Sequence, residues 1–170
     1  MIKHQAFVHR NLPLLLLQAR EAVMQHRRPT LRAHGLSDQQ WRVLRVLAEP
    51  AHADGLETGR LAHEAHLLGP SLTGMLGRME AAGLLQRARS PEDARRSVVS
   101  ATGEGLALAG LLRATIEGQY LELEAHMGQP KLAQLYALLD DLIALHPTED
   151  GDVGAVDDGV QPARLTEADA

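Results

Sequence analysis

The chain has 170 residues, of which 45% are hydrophobic but only 2% aromatic, and it contains no cysteine. Its core must therefore be built from Leu, Ala, Val and Met, which favours helices over a β-sandwich, and disulfides, thiolate metal sites and thiol-based redox sensing are excluded. The formal net charge of −5 is concentrated at one end, because residues 147–170 hold seven acidic residues and one arginine. The rest of the chain is close to neutral, and binding to an anionic partner such as DNA needs only basic residues on one face.

The first predicted element is a long helix over residues 12–34, where Leu and Ala recur at helical spacing and Gly35 provides a C-terminal stop. The apolar run at residues 12–17 is too short to cross a bilayer, and no signal-peptide cleavage site follows it. A cytoplasmic protein without membrane association is therefore expected. Ser37 and Gln40 then form a capping box that begins a second helix.

Two short helices and a hairpin come next. A helix near residues 57–66 is separated by a tight turn from a helix that runs from about Pro70 to Ala82, with Gly83 as its left-handed cap. Residues 84–89 and 97–101 are predicted to be strands around a turn.

The remainder of the chain is predicted to hold two more helices and a tail. Thr102 is the N-cap of a helix that reaches about residue 126, and a further amphipathic helix follows the break at residues 128–130. From residue 146 the sequence is acidic and without periodicity, which is typical of disorder.

This order predicts a mostly α-helical fold, a winged helix-turn-helix with a short β-hairpin wing flanked by N- and C-terminal dimerisation helices. The long terminal helices carry more apolar surface than one small domain can bury, so a homodimer is expected. The predicted parts are an N-terminal dimerisation helix (1–35), a winged helix-turn-helix DNA-binding lobe (36–101), C-terminal dimerisation helices (102–146) and an acidic tail (147–170).

The second of the two short helices is the candidate recognition helix, whose N-terminal residues would enter the major groove. Ser71 and Thr73 can donate hydrogen bonds to phosphates or base edges, and Arg78 is suited to guanine or phosphate. The alternative is a plain surface helix with Ser71 in a capping role. Gly74 and Gly77 each cost a helix about 1 kcal/mol relative to Ala. Close approach to a phosphate backbone and close packing against a neighbouring helix would both explain them.

A distinctive motif spans the hairpin and the start of the next helix. Asp93 and Arg95 are followed by Thr102 and Gly105, with Ala101 immediately before the threonine. This pattern resembles the wing signature of the MarR family of regulators, in which the residue before the threonine is usually leucine. The replacement is expected to loosen packing under the wing slightly, without changing a DNA contact.

The resemblance covers residues 12–146. Within it, residues 16–22, 36–42 and 69–74 resemble the branch that regulates homoprotocatechuate (3,4-dihydroxyphenylacetate) degradation operons. It implies a transcriptional repressor of an aromatic-acid catabolic operon that binds a pseudo-palindromic double-stranded operator as a homodimer and is released by a small aromatic carboxylic acid. The alternatives are a MarR-type regulator of another aromatic-acid, stress or efflux operon, and a constitutive DNA-binding protein without ligand response.

The resemblance also implies roles for the wing residues. Arg95 would enter the minor groove, Asp93 would hold it in place, and Arg96 would add a neighbouring cation. A narrow A·T-rich groove concentrates negative potential and attracts guanidinium groups, so the physical basis is sound. The alternative is a solvated loop with an ordinary surface ion pair.

Family members bind aromatic acids between the dimerisation helices and the DNA-binding lobe, which implies a ligand site here. Arg20 is the candidate carboxylate partner, because a guanidinium can bind a carboxylate with two hydrogen bonds. Arg28 would be a second cation, and Met24 and Trp41 would line an apolar slot. The alternatives are a buried core position for Trp41 and an intersubunit or surface ion pair for Arg20.

Nine histidines raise the question of a metal site. His63 and His66 have i, i+3 spacing on a helix, but no carboxylate or cysteine cluster completes a ligand set, so neither a metal nor another cofactor is predicted. The sequence also has no nucleophile elbow, phosphate-binding glycine loop or paired-carboxylate motif, and an enzyme is therefore not expected.

Overall fold

The computed structural model describes residues 7–67, 69–89 and 97–145. The elements follow the predicted order, and the mostly α-helical fold class is confirmed. The described helices and strands are α1 (Leu12–Ala33), α2 (Asp38–Leu47), a 3₁₀ turn (Pro50–His52), β1 (Leu56–Glu57), α3 (Thr58–Glu64), α4 (Gly69–Ala81), β2 (Leu85–Arg89), β3 (Ser97–Ala101), α5 (Gly103–Met127) and α6 (Gln129–Ala144).

The helix boundaries are set by local capping interactions. The predicted capping box is present at α2, where the Ser37 backbone N–H donates to the Gln40 side chain at 2.8 Å and the Gln40 N–H donates to the Ser37 hydroxyl at 3.2 Å. Thr102 caps α5 by accepting a hydrogen bond from the Gly105 N–H at 3.0 Å. Gly35 and Gly83 adopt the left-handed conformation predicted for helix ends, with φ of 72° and 73°.

The sheet has three strands in the order β1-β3-β2, all antiparallel. Sequence patterning predicts only the hairpin of β2 and β3, because β1 has two residues and no alternation to detect. β1 pairs Leu56 with Val99 and is held close to β3 by Gly55, whose φ is 85°. A Cβ atom at Gly55 would lie 2.7 Å from the Val99 carbonyl oxygen, so only glycine allows this approach.

The core lies in the central lobe, between α2, α3, α4, the sheet and the first half of α5. Its fully buried side chains include Leu44, Leu61, Leu72, Leu76, Met79, Leu85, Val99 and Leu112. The long helices α1, α5 and α6 keep large apolar side chains in contact with solvent, notably Leu17, Leu111, Leu121, Leu138 and Ile143. Such a surface is expected to be covered by another chain.

Among the described residues, no helix is both long enough and apolar enough to cross a membrane.

Candidate nucleic-acid interface and ligand pocket

Helix α4 has one buried and one exposed face, as expected for a recognition helix. The buried face packs Leu72, Met75, Leu76 and Met79 into the core. The three predicted DNA contacts, Ser71, Thr73 and Arg78, all lie on the exposed face. Within residues 7–67, 69–89 and 97–145, none of these three side chains has a hydrogen bond or an ion pair, so all three are available to a partner.

The two glycines of α4 do not face another helix. A Cβ atom at Gly74 would meet only the Arg78 guanidinium, at 3.7 Å, and one at Gly77 would meet the Arg87 guanidinium, at 3.4 Å. Close helix packing therefore explains neither glycine within the described structure. Gly77 instead leaves room for Arg87, whose Nε donates to Oε2 of Glu80 at 2.9 Å and whose Nη2 lies 2.8 Å from the same oxygen. This ion pair ties strand β2 to α4.

The hairpin is described up to the pair of Arg89 with Ser97. The predicted wing-tip contacts, Asp93, Arg95 and Arg96, lie outside the described residues and stay predictions.

The other two residues of the signature, Thr102 and Gly105, lie where the hairpin joins α5, and their contacts there explain why these residue types are needed. The Thr102 hydroxyl donates to the Gly83 carbonyl at 2.6 Å while it caps α5. Gly105 is buried, and a Cβ atom there would lie 2.0 Å from the Leu84 carbonyl oxygen. The Thr102 hydrogen bond and the close packing at Gly105 thus hold the first turn of α5 against the turn that follows α4.

A cavity of about 270 Å³ lies between α2 and α5. Trp41, which is 6% exposed, forms part of its apolar wall. Its charged lining is two arginines and two glutamates, and none of the four has an ion pair with another described residue. The lining residues are Trp41, Arg45, Ala48, Glu49, Ala109, Arg113, Ile116 and Glu117. The lining thus has no net formal charge: the guanidinium groups are donors for a carboxylate, the glutamates are acceptors, and Trp41 offers an apolar surface to an aromatic ring.

The four predicted ligand residues do not all lie at this cavity. Met24 is buried in the core and Trp41 lines the cavity, whereas Arg20 and Arg28 do not belong to its lining. Arg20 bonds Asp38 at 2.5 Å and Glu21 at 2.9 Å, and Arg28 bonds Glu21 at 2.5 Å. The hydrogen bond from Arg28 is the main reason that the pKa of Glu21 is lowered. A ligand role for Arg20 and Arg28 stays a prediction.

Sequence reasoning missed two cations of the cavity. Arg45 lies one helical turn after Trp41 on α2, and this i, i+4 spacing was a usable signal. Arg113 comes from α5, far along the chain, and only the packing of α5 on α2 brings it to the same cavity.

The two histidines considered as a metal pair have ring centroids 6.4 Å apart. In the described parts of the chain, no group of three or more His, Cys, Asp or Glu residues is placed to hold a metal ion.

Comparison with known proteins identifies close relatives. The MarR family model matches residues 34–96. The homoprotocatechuate degradative operon repressor of Escherichia coli is 42% identical over 146 residues, which cover 86% of this chain and 97% of the relative.

Two solved structures are also similar. The transcriptional regulator PA4135 has a TM-score of 0.76 and 40% identity, covering 82% of this chain and 100% of its own. NadR in complex with 4-hydroxyphenylacetate has a TM-score of 0.72 and 37% identity, covering 84% of this chain and 99% of its own.

Proposed function

Because this chain belongs to the MarR family of transcriptional regulators, we propose that it represses an aromatic-acid catabolic operon of the hydroxyphenylacetate or homoprotocatechuate type. In this proposal a small aromatic carboxylic acid releases it from its operator. Regulators of this family bind operator DNA as dimers and are not enzymes. The specific operon and effector are taken from the relatives, one a homoprotocatechuate operon repressor and the other bound to 4-hydroxyphenylacetate.

The cavity between α2 and α5 is the observation that carries this proposal. The indole of Trp41 offers a flat apolar surface to an aromatic ring, and Arg45 and Arg113 offer donors to a carboxylate. Glu49 and Glu117 are acceptors for a ring hydroxyl. The cavity of about 270 Å³ is close to the lower end of the range for small-molecule sites, which fits a single-ring acid.

The position of the cavity supports release as the response. One wall belongs to α2 of the DNA-binding lobe and the other to α5, a proposed dimerisation helix. In the proposed dimer, two α4 helices enter successive major grooves about 10 base pairs apart on a pseudo-palindrome. An acid that favours a different angle between α2 and α5 changes that separation. By linkage, operator DNA must weaken acid binding by the same factor.

The test is a fluorescence-anisotropy titration of the protein with DNA from its own upstream intergenic region. The titration is repeated with 4-hydroxyphenylacetate, with 3,4-dihydroxyphenylacetate, and with 4-hydroxyphenylethanol, which lacks the carboxylate. We expect tight DNA binding that either acid releases and the alcohol does not. Tight binding that is indifferent to both acids would overturn the release proposal and favour a regulator with another effector or with none.

Replacing Arg45 or Arg113 with glutamine is expected to weaken acid binding about 10- to 100-fold. Each change removes a charge-assisted hydrogen bond, which is worth roughly 1.5–3 kcal/mol. The measurement is calorimetric titration of the DNA-free protein with the releasing acid. Arg20→Gln is measured in parallel, because Arg20 is the cation predicted from the sequence, and Lys131→Gln on α6 is the control for charge loss.

These variants distinguish the cavity arginines, Arg45 and Arg113, from Arg20 on α1. If Arg45→Gln and Arg113→Gln both retain full affinity while Arg20→Gln loses it, the acid binds next to α1 and outside this cavity.

A further inference from the structure

Helix α2 contacts two functional regions with adjacent residues. Trp41 lines the proposed ligand cavity, and the next residue, Arg42, extends to the turn between α3 and α4. The Arg42 Nη1 group donates to the carbonyl oxygens of Ala65 and His66, both at 2.9 Å. Both carbonyls lie just after the last residue of α3, in the turn that leads to α4, so Arg42 holds the central turn of the helix-turn-helix.

The turn needs such support. His66 has a φ of 49°, the only left-handed backbone conformation among the described non-glycine residues, and side chains disfavour this region. A cation at the C-terminus of a helix also interacts favourably with the exposed carbonyls there. Arg42 supplies both the charge and the hydrogen bonds, and it thereby stabilises the conformation that directs the chain from α3 into α4.

Asp38 connects this arginine to the first helix. Its Oδ2 atom lies 2.5 Å from Nη2 of Arg20 on α1 and 3.8 Å from Nε of Arg42. The Arg42 Nε is buried and has no hydrogen-bond partner. Asp38 thus lies between two arginines: it is bonded to Arg20, and a shift of about an ångström toward Arg42 would satisfy the buried donor.

We propose that Arg20, Asp38 and Arg42 form a relay from α1 to the recognition helix, in which Arg42 is the positioning residue and Asp38 transmits the state of Arg20 to it. While Arg20 holds Asp38, the Arg42 guanidinium stays on the two turn carbonyls. When Asp38 leaves Arg20, it moves onto the Arg42 Nε and shifts the guanidinium relative to the turn. The orientation of α4, and hence operator affinity, changes with it. Only the response of the relay to an aromatic acid rests on the proposed function.

The relay is tested by operator affinity in the absence of any acid, using the full chain and its upstream intergenic DNA. Arg20→Gln is expected to weaken operator binding about threefold and Arg42→Gln about tenfold. Because the effect of Arg20 passes through Asp38 and Arg42, adding Arg20→Gln to either Asp38→Asn or Arg42→Gln should cause no further loss. Residues that interact are non-additive in this way, whereas independent sites add.

Three further variants test whether the change in operator affinity comes from the relay or from a general loss of structure. Arg32→Gln removes another exposed α1 arginine, one without an ion pair in the described structure, and should leave operator affinity unchanged. Asp38→Glu keeps the carboxylate. In that background, adding Arg20→Gln should again weaken operator binding, whereas in the Asp38→Asn background it should not. If Arg42→Gln fails to fold, as judged by its thermal midpoint, Arg42→Lys replaces it, because lysine keeps the charge but lacks the guanidinium fork.

The relay is overturned if Arg20→Gln has no effect in the otherwise native protein, or if its threefold effect persists in the Asp38→Asn or Arg42→Gln background. A final arm adds 4-hydroxyphenylacetate to the native protein and to Asp38→Asn. A smaller release factor in the variant supports the relay as part of the acid response. If the acid releases neither protein, the proposed function fails, while the acid-free comparisons still decide the relay.

Discussion

Replacing Gly105 with alanine is expected to lower the free energy of unfolding by about 3 kcal/mol, at the upper end of the usual cost of overpacking a core. The added Cβ would lie 2.0 Å from the Leu84 carbonyl oxygen, 3.0 Å from its carbon and 3.3 Å from a methyl group of Leu44. The first two atoms are backbone and cannot rotate away. The first turn of α5 must therefore shift off the turn that follows α4, and the Thr102 hydroxyl loses its bond to Gly83.

Equilibrium unfolding in urea measures this loss, at one fixed protein concentration because the stability of a dimer depends on concentration. Gly110→Ala is the matched control on the same helix, since a Cβ there meets nothing within 4 Å. That variant should be as stable as the native protein or more stable by up to about 1 kcal/mol, the usual gain in a helix. Equal stability of Gly105→Ala and the native protein would contradict the contact between α5 and Leu84.

Replacing Arg95 with alanine is expected to weaken operator binding about 10- to 100-fold, the range for losing one specific arginine contact of roughly 1–3 kcal/mol. The family signature assigns this arginine to the minor groove, and the described part of the hairpin leads toward it through the pair of Arg89 with Ser97. Because the variant has one fewer cationic contact with the DNA, the slope of log affinity against log salt concentration should also become smaller in magnitude by about one.

The measurement is anisotropy titration at several salt concentrations, with Lys131→Ala as the control because Lys131 lies on α6, outside the DNA-binding lobe. Operators with A·T-rich and G·C-rich flanks at the predicted wing position separate two kinds of contact. If Arg95 binds in the minor groove, the variant should lose more affinity for the A·T-rich operator. If Arg95 contacts a phosphate, the variant should lose the same affinity for both operators. Native-like binding of Arg95→Ala on both operators would rule out the wing as a DNA contact.

The two predictions differ in how far the sequence alone could support them. The wing prediction follows from a signature that is visible in the chain. The glycine prediction follows from it only in part, because the signature includes Gly105 but gives no physical reason why alanine would be costly there. The reason is the Leu84 carbonyl, which only the folded chain brings against it.

The proposed ligand site also combines residues that the sequence could identify with residues that only the structure brings together. Trp41 could be selected from the sequence, because it is the only tryptophan of the chain and the family resemblance places it near a ligand. Arg113 could not, since its distance from Trp41 depends on how α5 packs against α2. The sequence offers Arg20 as a long cation on the first helix, but the structure shows its guanidinium bonded to Asp38 and Glu21. Composition and periodicity do not report such competition between neighbours.

What the sequence determined by itself depends on interactions within a few residues. The Ser37–Gln40 capping box, the Thr102 cap and the glycine ends of α1 and α4 connect neighbours along the chain, and apolar periodicity identifies the helices they bound. The tertiary structure alone decided the pairing of β1 with β3, the position of Arg113 in the same cavity as Trp41, and the contact of Arg42 with the turn before α4. Each of these joins residues from distant parts of the chain, and their proximity depends on the packing of the whole core, which no local pattern encodes.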